Sequence, residues 1–293
     1  MPVAFVPCLE REDHGLFILY EGMSFMKKVV SIILAVVLVM LSFDAFTKTA
    51  RAESSYDYTI NVNRSKQIMT ITRINTKGER VIVKTFICST GAGGATTAGT
   101  YKTSKKFEWK KMIHDVWARY ATLFSPQGQG LLIHSVPYYV KDLSRLESDQ
   151  FNKLGKAVSA GCIRLSTADA KWVYDNCKSG TTVRVYDDPN EELPLPIVFK
   201  IPLDNPKKGW DPSANFDEGN PWIKTMYTTQ ECSIWKEPST VDSNRIKYVP
   251  AGYPVQVIEI QIDSTRGDGK KFYKTIKGNY ILAKCLSNKP IQY

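Results

Sequence analysis

In a chain of 293 residues, the stretch KAVSAGCIRLS, Lys156 to Ser166, sets one cysteine, Cys162, directly after Gly161 and two residues before Arg164. A cysteine reacts as its thiolate, so a catalytic one needs a neighbour that takes its proton or lowers its pKa. Histidine is the usual neighbour, and beyond the first fifty residues there are two, His114 and His134. His134 closes the apolar run GLLIHSV, where a strand can aim an imidazole. Gly161 allows close approach of backbone to substrate and leaves nearby N–H groups to stabilise an oxyanion. Arg164 carries the planar fork that grips a carboxylate. Taken singly, each has a plainer alternative: an isolated cysteine is more often a small buried apolar residue, and a lone histidine is more often structural. Taken together they point to acyl transfer through a thiol. The histidines and scattered cysteines lack short ligand spacing, so neither a metal nor a cofactor is expected.

The elements that must position these residues read as short strands. YDYTINVNRSKQIMTITRI alternates apolar and polar residues from Tyr56, turns at NTKGE and returns as RVIVKTFICST, the pattern of a hairpin. GAGGATTAGTY is too rich in glycine for an element interior and is expected to be a loop. After the cysteine, TADAKWVYDNCKSG has loose helical spacing, with Ser166 or Thr167 as cap and Asp169 in the first turn. GTTVRVYDD then returns as a strand. Between His134 and Ser159 lies the charged KDLSRLESDQFNKLGK, either a lid over the site or a surface helix. In EWKKMIHDVWARYATLF, Trp117, Tyr120 and Phe124 are candidates to line a groove, with ordinary packing as the alternative; His114 is expected to be exposed or structural.

IHSV followed by SAGCIRLS and DAKWVYDNCKSGTTVRVY resembles the catalytic core of the L,D-transpeptidases, the YkuD-type cell-wall enzymes. STGAGGATTAGTY resembles that family's strand and threonine-glycine loop, with Thr97, Gly99 and Tyr101 at matching places, and the resemblance runs from about Tyr56 to Asp187. It implies a mainly β protein: a sandwich-like catalytic domain with a short helix after the nucleophile. Cys162 would be the nucleophile and His134 its base. The N–H groups of Gly161 and Cys162 would hold the oxyanion, and Ser159 would be a hydrogen-bonding partner behind them. Arg164 would hold a carboxylate of the peptide stem of peptidoglycan, with Ser135 and Tyr120 as further substrate contacts. Many members carry a histidine immediately before the glycine, where this chain has Ala160; that histidine is not the base, so pocket polarity or acceptor choice would differ rather than catalysis.

Met26-Lys27-Lys28 leads into VVSIILAVVLVMLSF, a basic start and an apolar run of signal-peptide rather than membrane-spanning length. Ala50-Arg51-Ala52 offers small residues at peptidase spacing, so residues 1–52 are expected to be an upstream extension and signal peptide, cleaved after Ala52; an uncleaved anchor is the alternative. Met26 makes a better start than Met1. Either way the remainder is expected to be extracytoplasmic, secreted or wall-associated. The five basic and five acidic residues before Glu53 cancel, so the formal charge of +10 survives cleavage. A basic exported chain suits anionic cell-wall polymers, or simply a solvated surface; no basic run interleaves with aromatics, so nucleic acid is not expected. The expected domains are catalytic, 53–187; a Pro-, Asp- and Asn-dense linker expected to be packed in part, 188–224; and a barrel, 225–293. The last, with CSIWKEPST and VPAGYPVQVIE, resembles bacterial SH3-like domains and would imply a wall-binding module that raises local concentration by tethering; a barrel that only packs on the catalytic domain is the alternative. Cys88, Cys162, Cys177, Cys232 and Cys285 follow the leader, an odd number that leaves at least one thiol unpaired or paired between chains. Cys88 and Cys177 are expected as buried free thiols, with a mutual disulfide as the alternative, and Cys232 with Cys285 is a candidate pair that export permits. The resemblance implies an L,D-transpeptidase. An L,D-carboxypeptidase on the same fold and a catalytically silent wall-binding protein are the alternatives; a sortase ranks below them, because its cysteine follows a different motif. Oligomeric state is not readable from the sequence.

Overall fold

The computed structural model describes residues 57–125, 130–214 and 219–290, so the expected signal peptide lies outside the described residues. Three sheets are formed. The first runs β3-β2-β1-β9-β4, from β1 (Thr59–Asn63), β2 (Ile68–Ile74), β3 (Arg80–Ile87), β4 (Gly99–Lys102) and β9 (Thr182–Tyr186). β1 lies parallel to β9, and the other pairings are antiparallel. The first run expected as one strand is broken into β1 and β2 by a turn in which Gln67 takes φ +54°. Asn63 drives the break: its side chain accepts from the Lys66 N–H and donates to the Asp188 carbonyl.

The second sheet, β5-β6-β7-β8, holds the cysteine motif. β5 (Lys106–Lys111) and β6 (Trp117–Leu123) form a hairpin that alternation alone did not flag, and its tip places His114 and Asp115 at positive φ. β7 (Leu132–Ser135) and β8 (Ile163–Leu165) run parallel. Between the two sheets Ile60, Met69, Ile71, Ile133, Ile163 and Leu165 pack with Val173 of the following helix. That helix, α2 (Thr167–Asn176), forms where the sequence places it: Ser166 caps it, accepting the Asp169 N–H.

The segment read as lid or surface helix does not form a sustained helix. It contains one helical turn, α1 (Ser148–Phe151), and buries Leu146, Phe151 and Leu154. The linker residues hold it from outside: Asn152 donates to the Ile201 carbonyl at 2.8 Å and accepts the Ile201 N–H at 2.7 Å, and Leu146 N–H reaches the Gly209 carbonyl. Asp211, fully buried, accepts from Thr167 N–H and so secures the first turn of α2. The linker therefore packs as core, with Phe199, Ile201 and Trp222 buried against Val136, Tyr138, Ile258 and Phe272.

The C-terminal part is an antiparallel sheet of order β12-β11-β15-β14-β13-β10-β16, with β10 (Ile223–Thr228), β11 (Cys232–Trp235), β12 (Arg245–Val249), β13 (Pro254–Asp263), β14 (Lys271–Thr275), β15 (Tyr280–Leu282) and β16 (Leu286–Ser287). It shares a core of Phe199, Ile201 and Trp222 with the N-terminal half, and the described residues form one compact unit. Cys88 and Cys177 are buried free thiols. Cys232 and Cys285 are also free and buried in one apolar cluster, where their thiols neighbour each other. Among the described residues no helix is long and apolar enough to cross a membrane.

Candidate active site

Parallel pairing puts His134 opposite Arg164 and Ile133 opposite Ile163. Side chains alternate along a strand, and paired residues share a face. His134 and Arg164 therefore face one side, and Cys162 stands immediately before β8, two residues before Arg164. Ile133, Ile163 and Leu165 face the other side, into the core between the sheets. Arg164 lies close enough for its charge to act on both His134 and Cys162.

The imidazole is held in one tautomer. Its Nδ1 lies 2.5 Å from the Ser135 carbonyl oxygen, which can only accept, so Nδ1 carries the hydrogen. Nε2 keeps the lone pair and is buried with no hydrogen-bond partner among the described residues. His134 is 1 % exposed. Burial, first, and the Arg164 charge push its pKa down to about 4, against the opposing carbonyl bond. Burial likewise raises the Cys162 thiol, while a backbone hydrogen bond at Leu132 and the Arg164 charge oppose the rise. The resting pair is thus thiol and neutral imidazole rather than a preformed ion pair, an arrangement able to act as nucleophile and general base.

The turn that presents Cys162 depends on two residues. Gly161 adopts φ +136°, and a Cβ there would lie 3.0 Å from Leu131 Cδ2 and 3.3 Å from the Ala95 carbonyl oxygen. Ser159 Oγ donates to the Cys162 carbonyl at 2.5 Å and accepts from Gly161 N–H at 3.1 Å. Ser159 so takes a positioning role. The Gly161 N–H, expected as an oxyanion donor, is engaged by that hydroxyl in this state and would have to leave it to serve.

Two expected substrate contacts are corrected. Ser135 is fully buried, and its hydroxyl accepts Arg119 N–H at 2.9 Å and donates to the Val136 carbonyl, because the residue after His134 must point away from the site. Tyr120 is 6 % exposed and packs against Tyr174 of α2, at a centroid separation of 5.6 Å, inside the core. Phe124 is fully buried and offers no groove wall, whereas Trp117 is only half-buried. His114 is exposed at the hairpin tip.

Several contributors escaped sequence reasoning. Thr96 Oγ1 donates to the Gly161 carbonyl at 2.6 Å and accepts Gly91 N–H at 2.7 Å, tying the glycine-rich loop to the nucleophile turn. Gln67 holds Thr90 by two bonds of 2.8 Å, fixing the chain that pairs with Ser159. Arg164 Nη1 donates to Gln150 Oε1 at 2.9 Å, its Nε is buried without a partner, and Glu147 and Asp149 of the α1 segment supply the nearby negative charge. The only sequence signal was the density of threonine and charge in those two stretches.

Residues 57–185 match the YkuD family model, the L,D-transpeptidase catalytic domain. This YkuD-like region contains every residue of the site just described. The chain is also similar to a Bacillus subtilis (strain 168) protein named "Putative L,D-transpeptidase YciB", 33% identical over 123 residues, 38% of this chain and 62% of that protein. The chain therefore spans less than two thirds of that relative's length. Among solved structures, an L,D-transpeptidase (Yku) from Stackebrandtia nassauensis aligns at TM-score 0.34 and 24% identity, covering 46% of this chain and 58% of that one. An L,D-transpeptidase from Mycobacterium smegmatis aligns at 0.35 and 21%, covering 45% and 59%.

Proposed function

We propose that the YkuD-like region is a peptidoglycan L,D-transpeptidase that works through a cysteine thioester. One observation carries the reading: Cys162 immediately precedes β8, where Arg164 pairs with His134, and the His134 Nε2 is buried and unpartnered among the described residues, with the tautomer fixed by the Ser135 carbonyl. As a donor stem binds, Nε2 takes the Cys162 proton and the sulfur attacks the carbonyl at the L-centre of the diamino acid. The oxyanion collapses, D-alanine leaves with the proton from His134, and the stem remains as a thioester. An amine of a second stem, deprotonated by the same Nε2, displaces the sulfur and cross-links the third residues of two stems. Arg164, with an unpartnered Nε, is the group we assign to a stem carboxylate. Export with cleavage after Ala52, wall or secreted location, attraction to anionic wall polymers, and an SH3-like wall-binding role for the C-terminal sheet belong to the same proposal; they rest on the leader pattern, the charge of +10 and the sequence resemblance.

The test is intact-protein mass spectrometry of residues 53–293 with a tetrapeptide stem, alone and with an amine acceptor, beside Cys162→Ala. A Cys162-dependent acyl adduct, released D-alanine and a cross-linked product are expected. Release of tripeptide alone would replace the reading with an L,D-carboxypeptidase. A folded, reduced protein that forms no adduct and turns over no stem would make it a silent binding protein.

A further inference from the structure

A second site of a different kind lies where the catalytic half meets the C-terminal sheet. β3, the first turn of α2, the Ile197–Phe199 stretch and strands β13 and β14 enclose a cavity of about 350 Å³. Its walls are largely apolar, with Phe86, Phe151, Phe199, Ile258 and Tyr280. Three charged groups also line it: Lys84, Lys274 and Asp169.

Asp169 and Lys274 are partly buried there, and Lys84 reaches the rim from an exposed position. Opposite charges drawn out of water normally close into contact pairs, because desolvation is otherwise uncompensated, but Asp169 and Lys274 do not. The Asp169 carboxylate takes only the Ser166 hydroxyl and sits at no ion-pair distance from either lysine. The Lys274 ammonium lies 5.9 Å over the Phe199 ring and the Lys84 ammonium 5.9 Å over the Trp172 ring, and neither has a carboxylate partner among the described residues. They are nevertheless neighbours: Asp169 favours and Lys84 opposes the charge on Lys274, after burial, which opposes it most. Asp211, the other acid nearby, is occupied by Thr167 N–H and Ser213. Two ammoniums against one free carboxylate leave the cavity one positive charge in excess, around an apolar body.

We propose that this cavity binds a small monoanionic carboxylate with an apolar body, its carboxylate at Lys84 and Lys274 and a hydrogen-bond donor of the ligand at Asp169. A pocket that is apolar with a few convergent polar groups is the usual form of a small-molecule site. The contact differs from the catalytic one in its residues: none of Cys162, His134 or Arg164 lines it.

Calorimetric titration of the full chain with N-acetyl-L-phenylalanine, a monoanion with an aromatic body and an N–H donor, tests it against phenethylamine, the cation of similar bulk. Saturable one-to-one binding of the carboxylate alone is expected, weakened at least tenfold by Lys274→Met and by Lys84→Met and unchanged by Cys162→Ala. Lys84 is exposed, so its variant retains the test if Lys274→Met melts early. No saturable binding, an affinity in both lysine variants equal to the parent's, or loss of binding in Cys162→Ala would each overturn the proposal.

Discussion

A neutral imidazole beside a neutral thiol has consequences that an ion pair would not. Because His134 is held down to about 4, kcat/KM is expected to stay level below pH 6 and to fall only on an acid limb near 4. A limb near 6.5 in the pH profile would contradict the burial argument. The same group affects stability: its folded pKa lies below the unfolded 6.5, so its contribution is present above pH 6.5 and lost as pH falls toward 4. Asp169 runs the other way, since burial raises it from 3.8 to about 6 and its contribution is lost as pH rises through that window. Thermal melts at pH 4.5 and 7 should show Asp169→Asn gaining relative to the parent at the higher pH and His134→Gln losing. Cys162, partly exposed while the other described thiols are buried, is expected to be the first residue alkylated by iodoacetamide, at a rate that keeps rising with pH beyond the usual thiol range. Equal labelling of Cys88 or Cys177 in the folded protein would sink that expectation. Ser159→Ala frees the Gly161 N–H but unties the Cys162 carbonyl; kcat is expected to drop with KM little changed, and Ser159→Thr to restore part of it.

At the scale of elements, what could be read in the chain beforehand depended on whether the signal was local. The cysteine, its glycine and the capped helix after them are specified within a dozen residues, so Cys162, Gly161 and α2 stand where the sequence puts them. Ser135 was legible in principle, because a strand that aims His134 at the site must turn its neighbour inward. Tyr120 was not, since its burial depends on α2 packing across β6. The break at Gln67 stayed hidden because alternation continues through the turn, and the linker's role because Pro and Asp mask three buried aromatic and aliphatic residues. Phe151 tests that role: it is 1 % exposed, and Phe151→Ala is expected to cost roughly 3–5 kcal/mol. Denaturant melts giving less than about 1 kcal/mol would show the α1 segment to be loosely laid on the surface rather than embedded.

Across the whole molecule, the core that runs from Tyr138 through Trp222 to Phe272 ties the two parts together, so the alternative in which the barrel packs on the catalytic part is the one the contacts favour over a free tether. A chain ended at Asp187 would lose Phe199, Ile201 and Trp222 from that core and Asp211 from the start of α2. Such a truncation is expected to be insoluble or to melt well below the full chain, whereas independent folding with full activity would show the junction to be incidental. A module on a flexible tether raises local concentration in every direction within its reach. The fused core allows no such search: anything gripped by the C-terminal sheet is gripped at a fixed bearing from Cys162. If the proposed wall binding holds, then on a polymer of regular repeat that arrangement would act as a ruler, admitting the proposed reaction only at sites one set span from the point of attachment.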